Sequence, residues 1–104
     1  MRSSASSLVV AGFGAKAHIL EAVEQELVAL VSRRGLGRVA VEATTQIFEI
    51  EGFDSLAVAE FIEDLETLLR FEFPPEMLVP ETFMTPLAAA NVVAWCLGQK
   101  QVES

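Results

Sequence analysis

Residues 52–56 read Gly-Phe-Asp-Ser-Leu and place a glycine turn, a helix-capping residue and a primary hydroxyl in succession. Asp54 is a good N-cap, because its carboxylate can accept a hydrogen bond from a free backbone amide in the first turn of a helix. Ser55 would then lie in that turn, open to solvent. Free amides and the positive end of the helix dipole stabilise an anion there, so a phosphodiester would suit the Ser55 hydroxyl. An ordinary helix start fits the same residues, and local spacing alone favours that interpretation.

Ser55 lacks the sequence features of a hydrolytic nucleophile. A serine is activated by a base within hydrogen-bond reach, and the single histidine, His18, belongs to another predicted helix with no partner signature beside it. The Gly-x-Ser-x-Gly elbow is absent, since Ala57 takes the place of its last glycine. We therefore expect His18 to be a surface or cap residue.

Two other groups of side chains that could do chemistry, a pair of acids and a cysteine, are interpreted as structural. Glu63 and Asp64 are interpreted as a solvated helix face, because nothing in the sequence indicates a cleft around them. Cys96 is the single cysteine, so neither a disulfide framework nor a metal cluster is predicted. Its apolar neighbours predict a buried, unreactive thiol.

The element before Ser55 is predicted to be a helix followed by a long connection. Apolar residues recur at helical spacing from about residue 17 to 32, and Gly35 and Gly37 end that helix. Residues 36–53 then form the connection. Its alternating segment 39–41 is typical of either a short strand or a loop with apolar anchors.

Asp54 is predicted to begin a second helix with two different faces. The buried stripe would consist of Val58, Phe61, Ile62, Leu65, Leu68 and Leu69. The opposite face, at 100° per residue, would consist of Leu56, Glu60, Glu63 and Thr67. An exposed leucine therefore heads an acidic stripe.

Prolines divide the remainder of the chain. Pro74 and Pro75 close the second helix, and Pro80 interrupts the chain again, which leaves room for one short helical turn at about residues 76–79. Thr85 and Pro86 then suit the cap and first position of a last helix that runs to about residue 99. That helix is predicted to pack through Leu87, Val92 and Trp95.

The predicted fold is all-α, a small bundle of three main helices and one short helix. A chain of 104 residues with 52% hydrophobic residues suffices for one core and leaves no room for a second domain. A formal charge of −8, from 15 acidic and 7 basic residues, argues against a nucleic-acid surface and favours protein partners with basic patches. No apolar stretch approaches the roughly 18 residues of a membrane span. We expect a cytoplasmic monomer.

The stretch Gly-x-Asp-Ser-Leu opening an acidic amphipathic helix resembles the attachment site of acyl carrier and peptidyl carrier proteins. Glu60 and Glu66 fall where that family tends to place acids on its second helix. The Phe-Pro step at 73–74 and the Phe-Met-Thr-Pro sequence at 83–86 are similar to the family's segments before its later helices. The likeness spans about residues 17–97.

The resemblance implies a carrier function, so we expect the protein not to be an enzyme. A phosphopantetheinyl transferase would attach 4′-phosphopantetheine from coenzyme A to Ser55, with Asp54 beside it, and substrates would be held as thioesters on the arm's terminal thiol. An acyl-activating ligase, a ketosynthase or an acyltransferase of a fatty-acid, polyketide or other specialised pathway would be the partners. The surface that partners recognise would consist of Phe53, Leu56, Glu60 and Glu63.

The chain departs from the family pattern at three places. Glu51 stands where an apolar residue commonly precedes the glycine, and Arg70 stands near the family's usual Phe-Gly ending. The stretch 77–83 is slightly long compared with carriers of primary fatty-acid synthesis. These departures resemble discrete carriers of specialised pathways.

Two other functions stay open on the sequence. One is a helical protein-interaction module that has the acidic helix and is never modified. The other is a dinucleotide-binding fragment, because residues 8–17 fit a strand followed by Gly-x-Gly-x-x-Ala, with Gly12 and Gly14 as its glycines, and residues 39–42 could be a second strand ending in an acid. The chain then offers helices rather than further strands, which argues against a doubly wound sheet.

Domain limits follow from these assignments. Residues 1–16 imitate a secretory signal poorly, because two glycines interrupt the apolar run and one basic residue precedes it. We expect a flexible tail at 1–16, the helical domain at 17–99 and a short tail at 100–104.

Overall fold

Three α-helices make up the bundle in the computed structural model, which describes residues 14–103, with side chains from 17 to 98. Helix α1 spans Gly14–Arg33, α2 spans Ser55–Leu69 and α3 spans Pro86–Glu103. Short 3-10 turns occupy Ile47–Glu49, Pro75–Met77 and Pro80–Phe83. No strand occurs among the described residues, so the predicted all-α class is confirmed. None of these helices is long and apolar enough to cross a bilayer.

Both outer helices extend beyond their predicted ends. Helix α1 begins at Gly14 instead of residue 17, and α3 reaches Glu103 instead of residue 99. A helical glycine such as Gly14 or Gly98 costs only about 1 kcal/mol relative to alanine, which is too little to stop a helix.

The strands of the dinucleotide-binding alternative are not found in the described part of the chain. Residues 39–41 have no regular structure, and Gly14 begins a helix. Gly12 and the proposed first strand lie outside the described residues.

The prolines between α2 and α3 give two turns where one was predicted. Pro75 begins the first 3-10 turn, as expected, but Pro80 begins a second one instead of only interrupting the chain. A proline is tolerated in the first turn of a helical segment, because its fixed φ suits the turn and its missing N–H has no acceptor there.

The core lies between α1 and the other two helices. Val23, Leu27 and Leu30 of α1 are fully buried, as are Phe61 and Leu65 of α2. Edge-to-face ring contacts continue the core into the loops, with centroids 4.7 Å apart for Phe71 and Phe73 and 5.1 Å apart for Phe73 and Phe83. The loops are therefore part of the packed structure.

Helix α3 packs against the core through Val92, as predicted, but Leu87 and Trp95 do not join that contact. Trp95 and Leu87 are exposed, whereas Ala89, Ala90 and Val93 are buried. The buried positions recur at helical spacing, and Trp95 lies on the opposite side of that helix. Small alanine side chains allow α3 to approach α1 closely, so this face packs in place of the larger residues.

Two further burial predictions need correction. Leu68 shares a helix face with the buried Phe61 and Leu65, yet it is 51% exposed. Cys96 is half-buried instead of fully buried. Burial nevertheless raises the pKa of its thiol, and the charge of Glu76 adds to that rise.

Candidate functional site

The N-terminus of α2 has the capping geometry expected from the sequence. Asp54 has extended backbone angles, and its Oδ1 accepts a hydrogen bond of 2.9 Å from the Ala57 N–H. The Asp54 carbonyl accepts from the Val58 N–H at 3.0 Å. Helix geometry provides no backbone acceptor for the N–H groups of Ser55 and Leu56, so these donors remain for another anion.

Gly52 sets the direction of the chain into this cap. Its φ is +86°, and a Cβ added there would lie 2.8 Å from Cδ2 of Leu36. Glycine therefore suits this position both for its backbone conformation and because a Cβ would displace the Leu36 side chain. The Phe53 N–H then donates to the Ile50 carbonyl at 3.0 Å, which completes the turn before Asp54.

The long connection is fastened to the beginning of α3. The Ile47 N–H donates to the Met84 carbonyl at 2.9 Å, and the Leu87 N–H donates to the Ala43 carbonyl at 3.0 Å. Ile47 is fully buried. These contacts place Phe48, the next residue, beside the loop that precedes α3.

An apolar groove adjoins Ser55. It has a volume of about 420 Å³ and lies between the 3-10 turn at 47–49, the first turns of α2 and the loop before α3. Apart from Asp54 and Ser55, its walls consist of Phe48, Phe53, Val58, Ile62, Leu78, Val79, Pro80 and Phe83. An exposed hydroxyl at the mouth of an apolar groove suits attachment of a group with both a charged and an apolar part.

Two arginines at the end of α1 bind the acids of α2. Arg33 Nη2 lies 2.8 Å from both Glu60 Oε2 and Asp64 Oδ2. Arg34 Nη1 lies 3.0 Å from Glu60 Oε1, and its Nη2 lies 3.6 Å from Asp54 Oδ1. We call these five residues the arginine clasp. The clasp joins the C-terminus of α1 to the acidic side of α2.

The clasp shifts the ionisation of the groups within it. The hydrogen bond from Arg33 lowers the pKa of the Glu60 carboxyl, and that from Arg34 adds to the effect. The same contact with Glu60 raises the pKa of Arg33. Burial raises the pKa of Glu26, which lies 4.0 Å from Arg33, and the nearby charge of Asp64 raises it further.

The structure separates the residues predicted for partner recognition. Ser55, Leu56 and Glu63 are exposed, and Leu56 has 68% of its surface accessible. Phe53 is instead buried, with its ring edge-to-face against Phe61 at 6.3 Å. Its side chain therefore lies in the core and in the groove wall.

Glu60 and Asp64 also differ from the predicted solvated face, because both are half-buried members of the clasp. The helical wheel places Glu60 beside Leu56, but it contains no information about Arg33 and Arg34. His18 is exposed on α1, as predicted.

Sequence reasoning missed the clasp arginines and the loop residues of the groove. Two adjacent arginines, Arg33 and Arg34, at a helix C-terminus were recognisable in the sequence, because basic side chains there interact favourably with the helix dipole. Their acidic partners in the clasp are 20 or more positions away, so the sequence did not indicate the pairing. Phe48, Leu78 and Val79 had no periodic pattern that could show a shared wall.

A family model described as "Phosphopantetheine attachment site" matches residues 25–92, which is more than half of the chain. The match begins within α1, includes the whole of α2 and ends within α3. No curated protein matches the chain, and no solved structure matches it.

Proposed function

The chain belongs to the phosphopantetheine-attachment family of acyl and peptidyl carrier proteins, and we propose that Ser55 bears its phosphopantetheine arm. The family covalently carries 4′-phosphopantetheine, so the resemblance seen in the sequence is confirmed at the level of family and cofactor. The protein is accordingly a carrier. Its attachment residue, its partners and its pathway are the subjects of the proposal.

The position of Ser55 at a helix N-terminus is the observation that carries the proposal. The family match contains two serines, Ser32 and Ser55. Ser32 lies in the last turn of α1, where the helix dipole disfavours an added negative charge. Ser55 lies in the first turn of α2, where the dipole and free amides favour it. Both hydroxyls are on exposed residues, so helix polarity distinguishes them.

The residues around Ser55 fit a phosphopantetheine group. The first turn of α2 contains no acidic residue, and its unpaired N–H groups can face a phosphodiester. The adjoining apolar groove can receive uncharged atoms beyond the phosphate. The arm supplies a terminal thiol that holds acyl groups as thioesters.

The contribution of the chain itself is presentation. Asp54 caps α2 and Gly52 directs the chain into it, so the Ser55 oxygen is held at the surface where a transferase can reach it. During modification this oxygen forms a bond to phosphorus, its proton passes to a base of the transferase, and the nucleotide part of coenzyme A leaves. Tethering then raises the effective concentration of the cargo at each partner's active site.

The groove favours an apolar acyl cargo. Its wall is formed mainly by hydrophobic side chains, and each buried CH₂ group contributes about 0.8 kcal/mol. Fatty-acid, polyketide or related specialised pathways supply such cargo through acyl-activating ligases, ketosynthases and acyltransferases. Leu56 and Glu63, both exposed on α2, remain proposed recognition residues.

Intact-mass measurement tests the attachment site. The apo protein is incubated with coenzyme A and a promiscuous phosphopantetheinyl transferase. We expect a mass gain of one phosphopantetheine group in the wild type and in Ser32→Ala, and none in Ser55→Ala. Far-UV circular dichroism checks that both variants fold. If the wild type gains no mass with several transferases, the chain is an unmodified interaction module; if Ser55→Ala is modified, another residue bears the arm.

A further inference from the structure

Building on the proposed carrier role, we infer that Arg34 is a positioning residue for the attachment at Ser55. Arg34 lies at the end of α1 and acts through Asp54, the residue that caps α2. Its guanidinium holds the Asp54 carboxylate in the capping position, and the cap in turn fixes the helical turn that contains Ser55.

The backbone of Arg34 is fixed by the end of α1. Its N–H donates to the Leu30 carbonyl at 3.0 Å, and the Leu36 N–H donates to the Val31 carbonyl at 3.0 Å. Between them Gly35 adopts a left-handed conformation, with a φ of +66°. This pattern ends a helix in a defined geometry. The Arg34 side chain therefore extends from a fixed point of the backbone.

The guanidinium of Arg34 is also anchored on α2. Its Nη1 lies 3.0 Å from Glu60 Oε1, and only 28% of the Arg34 side chain is accessible. The other Glu60 oxygen lies 2.8 Å from Arg33, so Glu60 is itself held in place. A guanidinium is planar and presents its donors as a rigid fork. With Nη1 bound to Glu60, the clasp therefore determines the orientation of Nη2 towards Asp54.

Asp54 benefits from this support because its carboxylate is exposed. Its side chain is 59% accessible. The Oδ1 atom accepts the 2.9 Å hydrogen bond from the Ala57 N–H, and the same atom lies 3.6 Å from Arg34 Nη2. An exposed side chain held by one hydrogen bond exchanges readily between rotamers, because water competes for its oxygens. The ion pair with Arg34 favours the rotamer that caps α2.

A second contact from the end of α1 supports the same loop. Leu36 lies against Gly52, since Cδ2 of Leu36 is 2.8 Å from the position that a Cβ of Gly52 would occupy. The end of α1 thus contacts the loop on both sides of the buried Phe53, through Leu36 at Gly52 and through Arg34 at Asp54. One contact is apolar and the other is ionic, and together they determine where the attachment loop lies.

The charge of Arg34 also matters for the reaction. The Asp54 carboxylate is adjacent in sequence to the hydroxyl that must approach the anionic pyrophosphate of coenzyme A, so its charge opposes that approach. Arg34 offsets this charge, whereas Arg33 pairs with Glu60 and Asp64. Loss of Arg34 would therefore loosen the cap and also leave a carboxylate without its counter-ion beside the reacting hydroxyl.

NMR of the apo protein tests the cap directly. Hα–Hβ couplings report the Asp54 rotamer, and the exchange rate of the Ala57 N–H reports its hydrogen bond to Asp54. We expect Arg34→Gln to average the couplings over several rotamers and to speed up the exchange about fivefold. Arg33→Gln is the matched control, because it removes the same charge from the neighbouring residue of the clasp, and it should leave both quantities close to their wild-type values.

The rate of attachment tests the role in the reaction. The apo protein is mixed with coenzyme A and an excess of phosphopantetheinyl transferase, and modification is followed by intact mass over a single turnover at several transferase concentrations. We expect Arg34→Gln to lower the rate constant at saturating transferase about fivefold and to change the half-saturating concentration less than about twofold, because Arg34 positions Asp54 and does not bind the enzyme. Arg33→Gln should stay within about twofold for both quantities.

Arg34→Lys separates positioning from charge. Lysine keeps the positive charge but has one ammonium group in place of the fork, so it cannot hold Glu60 and Asp54 in the same way. We expect Arg34→Lys to resemble Arg34→Gln more than the wild type, in both the rate constant and the Asp54 couplings. Far-UV circular dichroism checks that each variant is folded in the assay, since a loss of stability alone changes neither quantity in a folded protein.

The outcomes distinguish this inference from the carrier role. If the wild type is modified at Ser55 but Arg34→Gln behaves as Arg33→Gln does, Arg34 is not a positioning residue and the carrier role stands. The inference is also overturned if Arg34→Lys reacts like the wild type, or if Arg34→Gln changes only the half-saturating concentration. If the wild type is never modified, the attachment at Ser55 is wrong and the role of Arg34 in it is wrong too.

Discussion

Replacing Gly52 by alanine should destabilise the turn that presents Ser55. The backbone φ of +86° is unfavourable for a residue with a Cβ, which costs about 1–2 kcal/mol. The new Cβ would also lie 2.8 Å from Cδ2 of Leu36. Leu36 is half-buried and can yield by leaving its rotamer, at about 0.5–1.5 kcal/mol. The two effects together give a loss of about 1.5–3.5 kcal/mol in the free energy of unfolding.

Gly37→Ala is the matched control for this effect. Gly37 has a φ of +94°, but a Cβ added there meets no atom within 4 Å. Gly37→Ala should therefore cost only the energy of placing a Cβ at a positive φ, about 1–2 kcal/mol. Urea unfolding followed by far-UV circular dichroism measures both variants. Because 1 kcal/mol shifts Tm by about 4–8 °C in a domain of this size, the Gly52 variant should melt more than about 6 °C below the wild type.

A double-mutant cycle isolates the contact with Leu36. In a Leu36→Ala background the 2.8 Å approach is removed, so Gly52→Ala should cost about 1 kcal/mol less than in the wild type. The reasoning is refuted if Gly52→Ala is no more destabilising than Gly37→Ala, or if the cycle shows no coupling.

The clasp and the end of α2 provide two further predictions. Arg33→Gln should raise the pKa of Glu60 towards its ordinary value of 4.5, because the hydrogen bond that lowers this pKa is lost. NMR titration of the Glu60 carboxyl measures the shift, and an unchanged pKa would contradict the clasp. The folded-state pKa of Glu60 is depressed, so its contribution to the free energy of unfolding is present above pH 4.5 and is lost as the pH falls through the folded-state pKa. The raised pKa of Glu26 has the opposite effect on that free energy. Arg70 has a φ of 57°, so Arg70→Gly should be about 1 kcal/mol more stable than Arg70→Ala, which loses the same side chain. Equal urea midpoints for that pair would show that the left-handed conformation is not maintained.

The predicted cap at Asp54 was confirmed because a helix start is a local event. Its donors and acceptors are at most four positions apart, so residue types in order are sufficient to predict them. The end of α1 at Gly35 is local in the same way. The Leu36 N–H donates to the Val31 carbonyl and the Gly35 N–H to the Ser32 carbonyl, with Gly35 at a φ of +66°.

The buried face of α3 shows why packing could not be predicted in the same way. Hydrophobicity favoured Trp95 and Leu87, whereas the structure buries Ala89 and Ala90. Which face is covered depends on how closely two helices approach, and that distance depends on side chains from both helices.

Residue order by itself determined the three helices, the turn at Gly52, the cap at Asp54 and the exposure of Ser55, because these depend on neighbours within a turn or two. Only the tertiary structure decided that Arg33 and Arg34 neutralise the acids of α2, and that Phe48 shares a groove with Leu78 beside Ser55. These contacts join residues more than 20 positions apart, and their formation depends on how the helices and loops pack.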